Sequence, residues 1–279
     1  MEIKFLCTYW GREAQDADSF LNGFEAEGYD GVEINVPEDV IFQGAFRSAL
    51  DAVRREHPGF VFYAHQVLPP APEQPSAYCK RMLQRLKALA TLAPEAINAH
   101  TGKDHFSFDD NCRIIEAAEE FSQRSGIPLY HEIHRGRFSF HSASLLPYLE
   151  RFPGLRLTAD YSHWCTVSES ALEDQEDILR ASFRHVAHIH ARVGSSQTSQ
   201  VADPFEPAWS DLLERYTGWW TSLCRDASEC GLQRLTITPE AGPWPYMPLE
   251  PYTGRPLANQ QDINWRMKQY LQEKLTRQL

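Results

Sequence analysis

Short apolar runs of β type alternate along the chain with longer stretches whose apolar residues recur at helical spacing. Eight runs predict strands: IKFLCTY, GVEINV, FVFYAHQV, AINAHTG, IPLYHEI, LRLTADY, VAHIHARV and LTITPEA. The stretches between them predict helices. Asp18-Ser19 is placed to cap SFLNGFEAEG, and AFRSALDAVRREHPG stops at Pro58-Gly59. SAYCKRMLQRLKALATLA and FDDNCRIIEAAEEFSQRSG follow, the second ended by Gly126, then ASLLPYLERFPG and EDQEDILRASFRHV. DLLERYTGWWTSLCRDASECG and the terminal DINWRMKQYLQEKLTRQL complete the set. Strands and helices in regular turn predict an α/β chain folded as a single (β/α)₈ TIM barrel over residues 1–279.

Four of the predicted strands stop at a group able to bind a metal: Glu132, Asp160, His190 and Glu240. Each is followed by Gly, Pro, Ser or a charged loop, and their intervals approximate one strand-plus-helix unit. Strand C-termini converge at the mouth of such a barrel, so these residues would meet in one O,O,O,N site. Three carboxylates suit a hard divalent ion, and one imidazole extends the choice from Mg to Mn, Co or Zn. Such an ion, bound to vicinal sugar oxygens, polarises a carbonyl and stabilises an enediolate. Glu132 and Glu240, on separate strands across the barrel, are the expected acid/base pair. His65 and His100 end the third and fourth strands and also face the mouth. Two long Pro/Gly-rich segments, GSSQTSQVADPFEPAW and EAGPWPYMPLEPYTGRP, follow the last two strands and read as lid or substrate-binding loops.

Composition narrows the partners. Lys plus Arg number 27 and Asp plus Glu 38, a net charge of −11, which disfavours phosphate backbones and anionic membrane surfaces. No stretch approaches a membrane span, and the N-terminal apolar run is too short for a signal sequence. The six cysteines form no C-x-x-C pair and read as free thiols of a reducing compartment, so a cytoplasmic location is expected. Association into a homo-oligomer stays open.

The order and spacing of Glu132, the D-x-x-H run Asp160–His163, the H-x-H run His188–His190 and Glu240 resemble the xylose isomerase-like TIM barrels. That superfamily contains sugar epimerases, sugar isomerases and endonuclease IV-type enzymes, and the resemblance covers essentially the whole chain. It implies that Glu132, Asp160, His190 and Glu240 hold one Mn, Mg or Co ion, with the second histidine of H-x-H as ligand. It implies that His163 contacts a substrate hydroxyl, as in the epimerase branch. His65 and His100 match two zinc-binding positions of the endonuclease branch and are read here as substrate contacts, with a second metal as the alternative. The D-x-H of that branch reads Asp203-Pro204-Phe205, which puts its trinuclear site in doubt.

The chain also departs from the ketose epimerase pattern, with Phe138 where a glutamate is expected and Ser196 where an arginine is expected. Arg192 is the nearer substitute. Arg135 or Arg137 could recognise a phosphate or carboxylate, and equally could belong to a solvated loop. Trp164, Trp244, Tyr246 and Tyr252 could stack on sugar faces, with Trp244 the preferred contact.

The leading expectation is therefore a metal-dependent isomerase or epimerase of carbohydrate metabolism, acting on a small sugar or related carbonyl compound. A dehydratase or lyase on a keto-sugar or 3-keto-glycoside uses the same chemistry and is the alternative. An endonuclease-type phosphodiesterase and a non-catalytic sugar-binding barrel stand behind both.

Overall fold

The computed structural model describes residues 1–276. Eight parallel strands close on themselves in chain order: β1 (Glu2–Thr8), β2 (Gly31–Ile34), β3 (Val61–Gln66), β4 (Ala96–Ala99), β5 (Leu129–Glu132), β6 (Leu157–Ala159), β7 (Val186–Ala191) and β8 (Arg234–Pro239). Every predicted run contributes one of them, and β8 returns to β1 through pairs such as Lys4 with Thr236. The fold is the expected TIM barrel.

The helices are α1 (Ala17–Ala26), α2 (Val40–Glu56), α3 (Pro75–Ala90), α4 (Phe108–Ser125), α5 (Ser142–Arg151), α6 (Tyr161–Val167), α7 (Glu176–Phe183), α8 (Ser210–Glu229) and α9 (Gln260–Thr276). Arg277–Leu279, the end of the predicted last helix, lie outside the described residues. Several starts differ from the sequence reading by a few residues, two of them through their caps. The cap of α1 is Asp16, whose carboxylate accepts from the Ser19 amide at 2.7 Å, so the helix begins before Asp18. In α2 the cap is Asp39, which accepts from the Phe42 amide and adds a turn ahead of the predicted start. The short α6 has no counterpart in the prediction. It follows directly from Asp160, whose side chain accepts from the Ser162 amide.

Two kinds of core result from the strand pleat, since successive side chains face opposite sides. Phe5, Phe62, Ile97, Leu129, Ile189 and Ile237 belong to the main apolar cluster together with helix residues such as Phe20, Phe46, Ile115 and Leu223. A separate small cluster of Leu6, Val61, Tyr63 and Ala96, with Tyr130 against it, is formed by other positions of the same strands. Above it come polar residues, Glu33, Asn98, Thr158, His188 and Thr236, all buried. The barrel interior thus changes from apolar to charged towards its C-terminal mouth. All six cysteines are unpaired, and no helix among the described residues is long and apolar enough to cross a membrane.

Closure leaves no room at Gly31, where a Cβ would stand 1.9 Å from the Val61 carbonyl oxygen. Gly31→Ala is therefore expected to force β2 from β3 and destabilise the protein by about 1–3 kcal/mol. A urea midpoint unchanged from wild type would refute this account of the strand contact.

Candidate functional site

Each candidate ligand reaches the mouth because its strand's alternation carries it there. On β7 the H-x-H spacing places His188 and His190 on one face, and Arg192 continues the series just beyond the strand. On β8, Thr236, Thr238 and then Glu240 follow the same rule. Glu132 is the last residue of β5, and Asp160 stands between β6 and α6. One ligand-type atom from each of Glu132, Asp160, His190 and Glu240 lies within 4.8 Å of the others, and all four residues are buried. The sequence reading brought these four together, and the structure places them side by side.

The network beneath them orients His190. Its Nε2 lies 3.1 Å from both carboxylate oxygens of Glu33, so the N–H there donates to Glu33. Glu33 also accepts from Thr238 Oγ1 at 2.6 Å and Asn98 Nδ2 at 3.1 Å, and it lies 3.1 Å from His188 Nε2. This arrangement turns His190 Nδ1 upward, 2.9 Å from Glu240 Oε2 and 3.6 Å from Glu132 Oε1. Neither His190 Nδ1 nor Glu240 Oε2 has a hydrogen bond of acceptable direction, although both are buried. Two unsatisfied atoms aimed at the same space, with two further carboxylates around it, are the donor set a divalent cation requires. The residues fit such an ion, and fixing a histidine ligand through its second nitrogen is how proteins tune such sites.

Charge is concentrated here. Four buried acids (Glu33, Glu132, Asp160 and Glu240) face one arginine in direct contact, Arg192. Burial alone would raise the Glu33 carboxyl, but His190 and His188 more than reverse this and hold it well below the usual carboxylate range. Glu132 behaves in the same way, with burial opposed by His100 and His190. Burial disfavours the His190 cation, yet Glu240, Glu33 and Glu132 raise its pKa well above the ordinary histidine value. At Asp160 burial wins over Arg192, and the pKa is raised.

Arg192 pairs with Asp160 through Nη2, and through Nε at 3.1 Å, while Nη2 also lies 3.1 Å from Glu240. Its guanidinium sits over the rings of Tyr246 (4.8 Å) and Trp10 (5.5 Å). The Trp10 ring in turn presses on Gly242, where a Cβ would stand 2.1 Å from it, so only glycine fits. Gln200 joins the two long loops by accepting from the Gly242 amide at 2.6 Å and donating to the Gly242 carbonyl at 3.1 Å.

A cavity of about 540 Å³ opens above this floor. Its walls include His65, His100, His134, Arg137, Arg192 and Tyr246, with Glu33, Glu132 and Glu240 at the base. His65 Nε2 and His100 Nε2 each lie 3.1 Å from Glu132 Oε2, and the three form a second cluster of ligand type. Burial pushes the His100 pKa down to about 4. His163 is fully buried, packed 3.9 Å from the His134 ring with Nε2 3.4 Å from Arg192, and it does not line the cavity. Trp244 is 67% exposed and also outside it; the aromatic walls are Trp10, Tyr9 and Tyr246. Trp164 is a core residue that donates to the Ser139 carbonyl. Asp203 pairs with Arg266 at 3.0 Å and Phe205 packs on Tyr270, so this segment faces α9.

Glu33, Asn98 and Trp10 did not emerge from the sequence. The available signal for Glu33 was an acid flanked by Val32 and Ile34 inside a strand, where charge is expensive unless paired.

No protein-family model and no curated protein matches the chain. Solved structures do. The 3-keto-D-glucoside 4-epimerase of E. coli, in its apo form, superposes with a TM-score of 0.60 at 15% identity, covering 98% of this chain and 100% of that one. A probable 3-DHS dehydratase of petrobactin synthesis from Bacillus anthracis gives 0.64 at 14%, covering 98% and 99%. A xylose isomerase-like TIM barrel protein from Mycobacterium smegmatis, in complex with magnesium, gives 0.63 at 12%, covering 99% and 97%. At these identities the likeness shows the fold alone, a (β/α)₈ barrel over nearly the whole chain.

If the four residues hold an ion, Asp160→Ala removes one ligand and is expected to abolish stoichiometric metal binding in calorimetry while far-ultraviolet circular dichroism stays unchanged. Glu33→Gln leaves those four residues in place but removes the charge and one of the two oxygens that hold His190, and should weaken binding by about 10–100-fold. Wild-type affinity in Glu33→Gln would rule out that orienting role.

Proposed function

We propose that the protein is a metal-dependent enzyme that moves a proton at a carbon beside a carbonyl of a small sugar or polyhydroxy compound, interconverting isomers or epimers. The observation that carries this reading is the convergence of Glu132, Asp160, His190 and Glu240 under a cavity large enough for a monosaccharide-sized ligand. The fold shared with a sugar epimerase and a dehydratase supports it. Glu132, Asp160, His190 and Glu240 would hold the ion, and magnesium in the similar M. smegmatis protein makes Mg a candidate beside Mn, Co and Zn. When bound, the ion would polarise the carbonyl and offset the charge that develops as the neighbouring carbon is deprotonated.

The protein's own groups divide the remaining work. Glu132 Oε2 accepts from Asn98 at 2.9 Å and from His100 at 3.1 Å, so Glu132 is held in place and is poorly free to carry a proton. Glu240 Oε2 has no hydrogen-bond donor aligned on it and lies at the cavity floor, which makes Glu240 the better base. Arg192, 3.1 Å away and backed by two aromatic rings, positions that carboxylate. His65 and His100 line the same cavity and would flank the substrate while their Nε2 atoms face Glu132. His163, behind His134, acts through its neighbours rather than on the ligand.

Elimination begins with the same proton abstraction, so a substrate with a leaving group on the next carbon would lose it, and product analysis separates the two outcomes. A phosphodiesterase reading loses support, because Asp203 and Phe205 are turned to α9.

The test is deuterium exchange from D₂O into keto- and aldo-sugars, followed by NMR with metal-loaded protein. Glu240→Gln should slow exchange by about 10²–10⁴-fold while keeping part of the metal affinity. Exchange at the wild-type rate would exclude Glu240 as the base.

A further inference from the structure

The cavity contains a charge that the metal chemistry does not use. The turn after β5 reads His134-Arg135-Gly136-Arg137 and is closed by the Arg137 amide donating to the His134 carbonyl at 3.1 Å. Gly136, at φ 76°, takes the left-handed conformation that the third residue of such a turn demands. The chain direction therefore reverses so that His134 and Arg137 both face the cavity, whereas Arg135 lies exposed with its guanidinium over the Tyr246 ring.

Arg137 is only 8% exposed. Among the described residues no carboxylate lies within ion-pair distance of it, and its buried Nε has no hydrogen-bond partner. Its one side-chain bond is Nη2 to His100 Nδ1, at 3.2 Å. Arg192 offers the contrast, since two acids compensate its charge. A buried guanidinium left without a counter-ion is unfavourable unless something of opposite charge visits it. Arginine has the donor geometry for an oxyanion, carboxylate or phosphate alike.

We propose that Arg137 is the seat of an oxyanionic group on the ligand, so that the substrates of this cavity are acidic sugars or sugar-like acids rather than neutral sugars. This rests on the reading of the cavity as a carbonyl-sugar site and specifies its substrate class. The placement also sets the size of the ligand. Arg137 bonds one nitrogen of His100, and the other nitrogen of that ring lies 3.1 Å from Glu132, so the anion seat and the candidate metal floor are one imidazole apart. The oxyanion then belongs within a few atoms of the reacting carbon. The same bond has a consequence for His100. Because arginine only donates, Nδ1 must accept and Nε2 carries the proton that points to Glu132. In this arrangement His100 is a donor to Glu132, not a second metal's ligand.

Three ligands matched in their carbon skeleton test the proposal: D-fructose, 2-keto-D-gluconate and D-fructose 1-phosphate, titrated calorimetrically into metal-loaded protein. They place a neutral hydroxymethyl, a carboxylate or a phosphate ester beside the same ketone. At least one of the two anions is expected to bind about tenfold or more tighter than fructose, as a charge-assisted contact allows. Arg137→Met should abolish that preference, read as the ratio of anion to fructose affinity in the same variant, and Arg137→Lys should restore part of it. Arg137→Gln serves as a second variant, with melting curves of each confirming a folded protein. Equal binding of fructose and the anions, failure of both anions to bind, or a preference that survives in Arg137→Met would each overturn the proposal; survival would place the anion on the metal instead. Arg137-dependent anion binding without proton exchange in D₂O would retain this site and discard the isomerase reading, whereas exchange on fructose without anion preference would do the reverse.

Discussion

His190 is the point on which the mouth of the barrel depends. It stands between Glu33 below and Glu132 and Glu240 above, and its two ring nitrogens serve the two levels separately. Remove the lower contact and nothing dictates which way the ring turns. Remove the upper acids and Nδ1 faces no carboxylate. A barrel whose interior begins with Leu6, Val61 and Tyr63 can hold this much charge only because every acid in it is answered by an imidazole, an amide or a guanidinium.

Around that axis the walls differ in how they are built. The β7–β8 side is aromatic, with Arg192 against the rings of Trp10 and Tyr246, themselves edge-to-face, and its charge met by Asp160 and Glu240. The β4–β6 side is a row of imidazoles, His100, His134 and His163, whose ring centroids are 4.3 and 3.9 Å apart in succession. Burial keeps the pKa of His134 and His163 well below the ordinary histidine value. Burial thus disfavours the cationic form along the row, beside which Arg137 adds a guanidinium with no carboxylate paired to it among the described residues.

The barrel was legible because its strands are short apolar runs broken by Gly, Pro and charged loops, and closure follows from having eight of them. The four mouth residues were legible for the same reason: each is a polar group where a strand stops. Glu33 lacks that mark, for the apolar pattern continues through Ile34 and Val36 and hides how deep in the barrel the acid lies. Helix α6 was invisible because Tyr161, which starts it, reads as the end of a strand, and only the buried Asp160 cap turns the chain there. That Trp244 was singled out and Trp10 was not reflects a limit of composition: both are tryptophans in loops at the mouth, and only packing on Gly242 tells which ring is inside. Arg135 and Arg137 were likewise indistinguishable until the left-handed Gly136 decided which of them faces the cavity.

Gln200 holds both backbone groups of Gly242, and so splices the loop after β7 to the loop after β8 with a side chain that is 2% exposed. The two segments are separated by the whole of α8 in sequence, yet mechanically they are one panel. Any breathing of the mouth on this side must carry Trp10, Tyr246 and the panel together, or first break a buried amide pair. Pro37, Val67, Leu68 and Pro70 line the same cavity from the segments after β2 and β3, outside this splice.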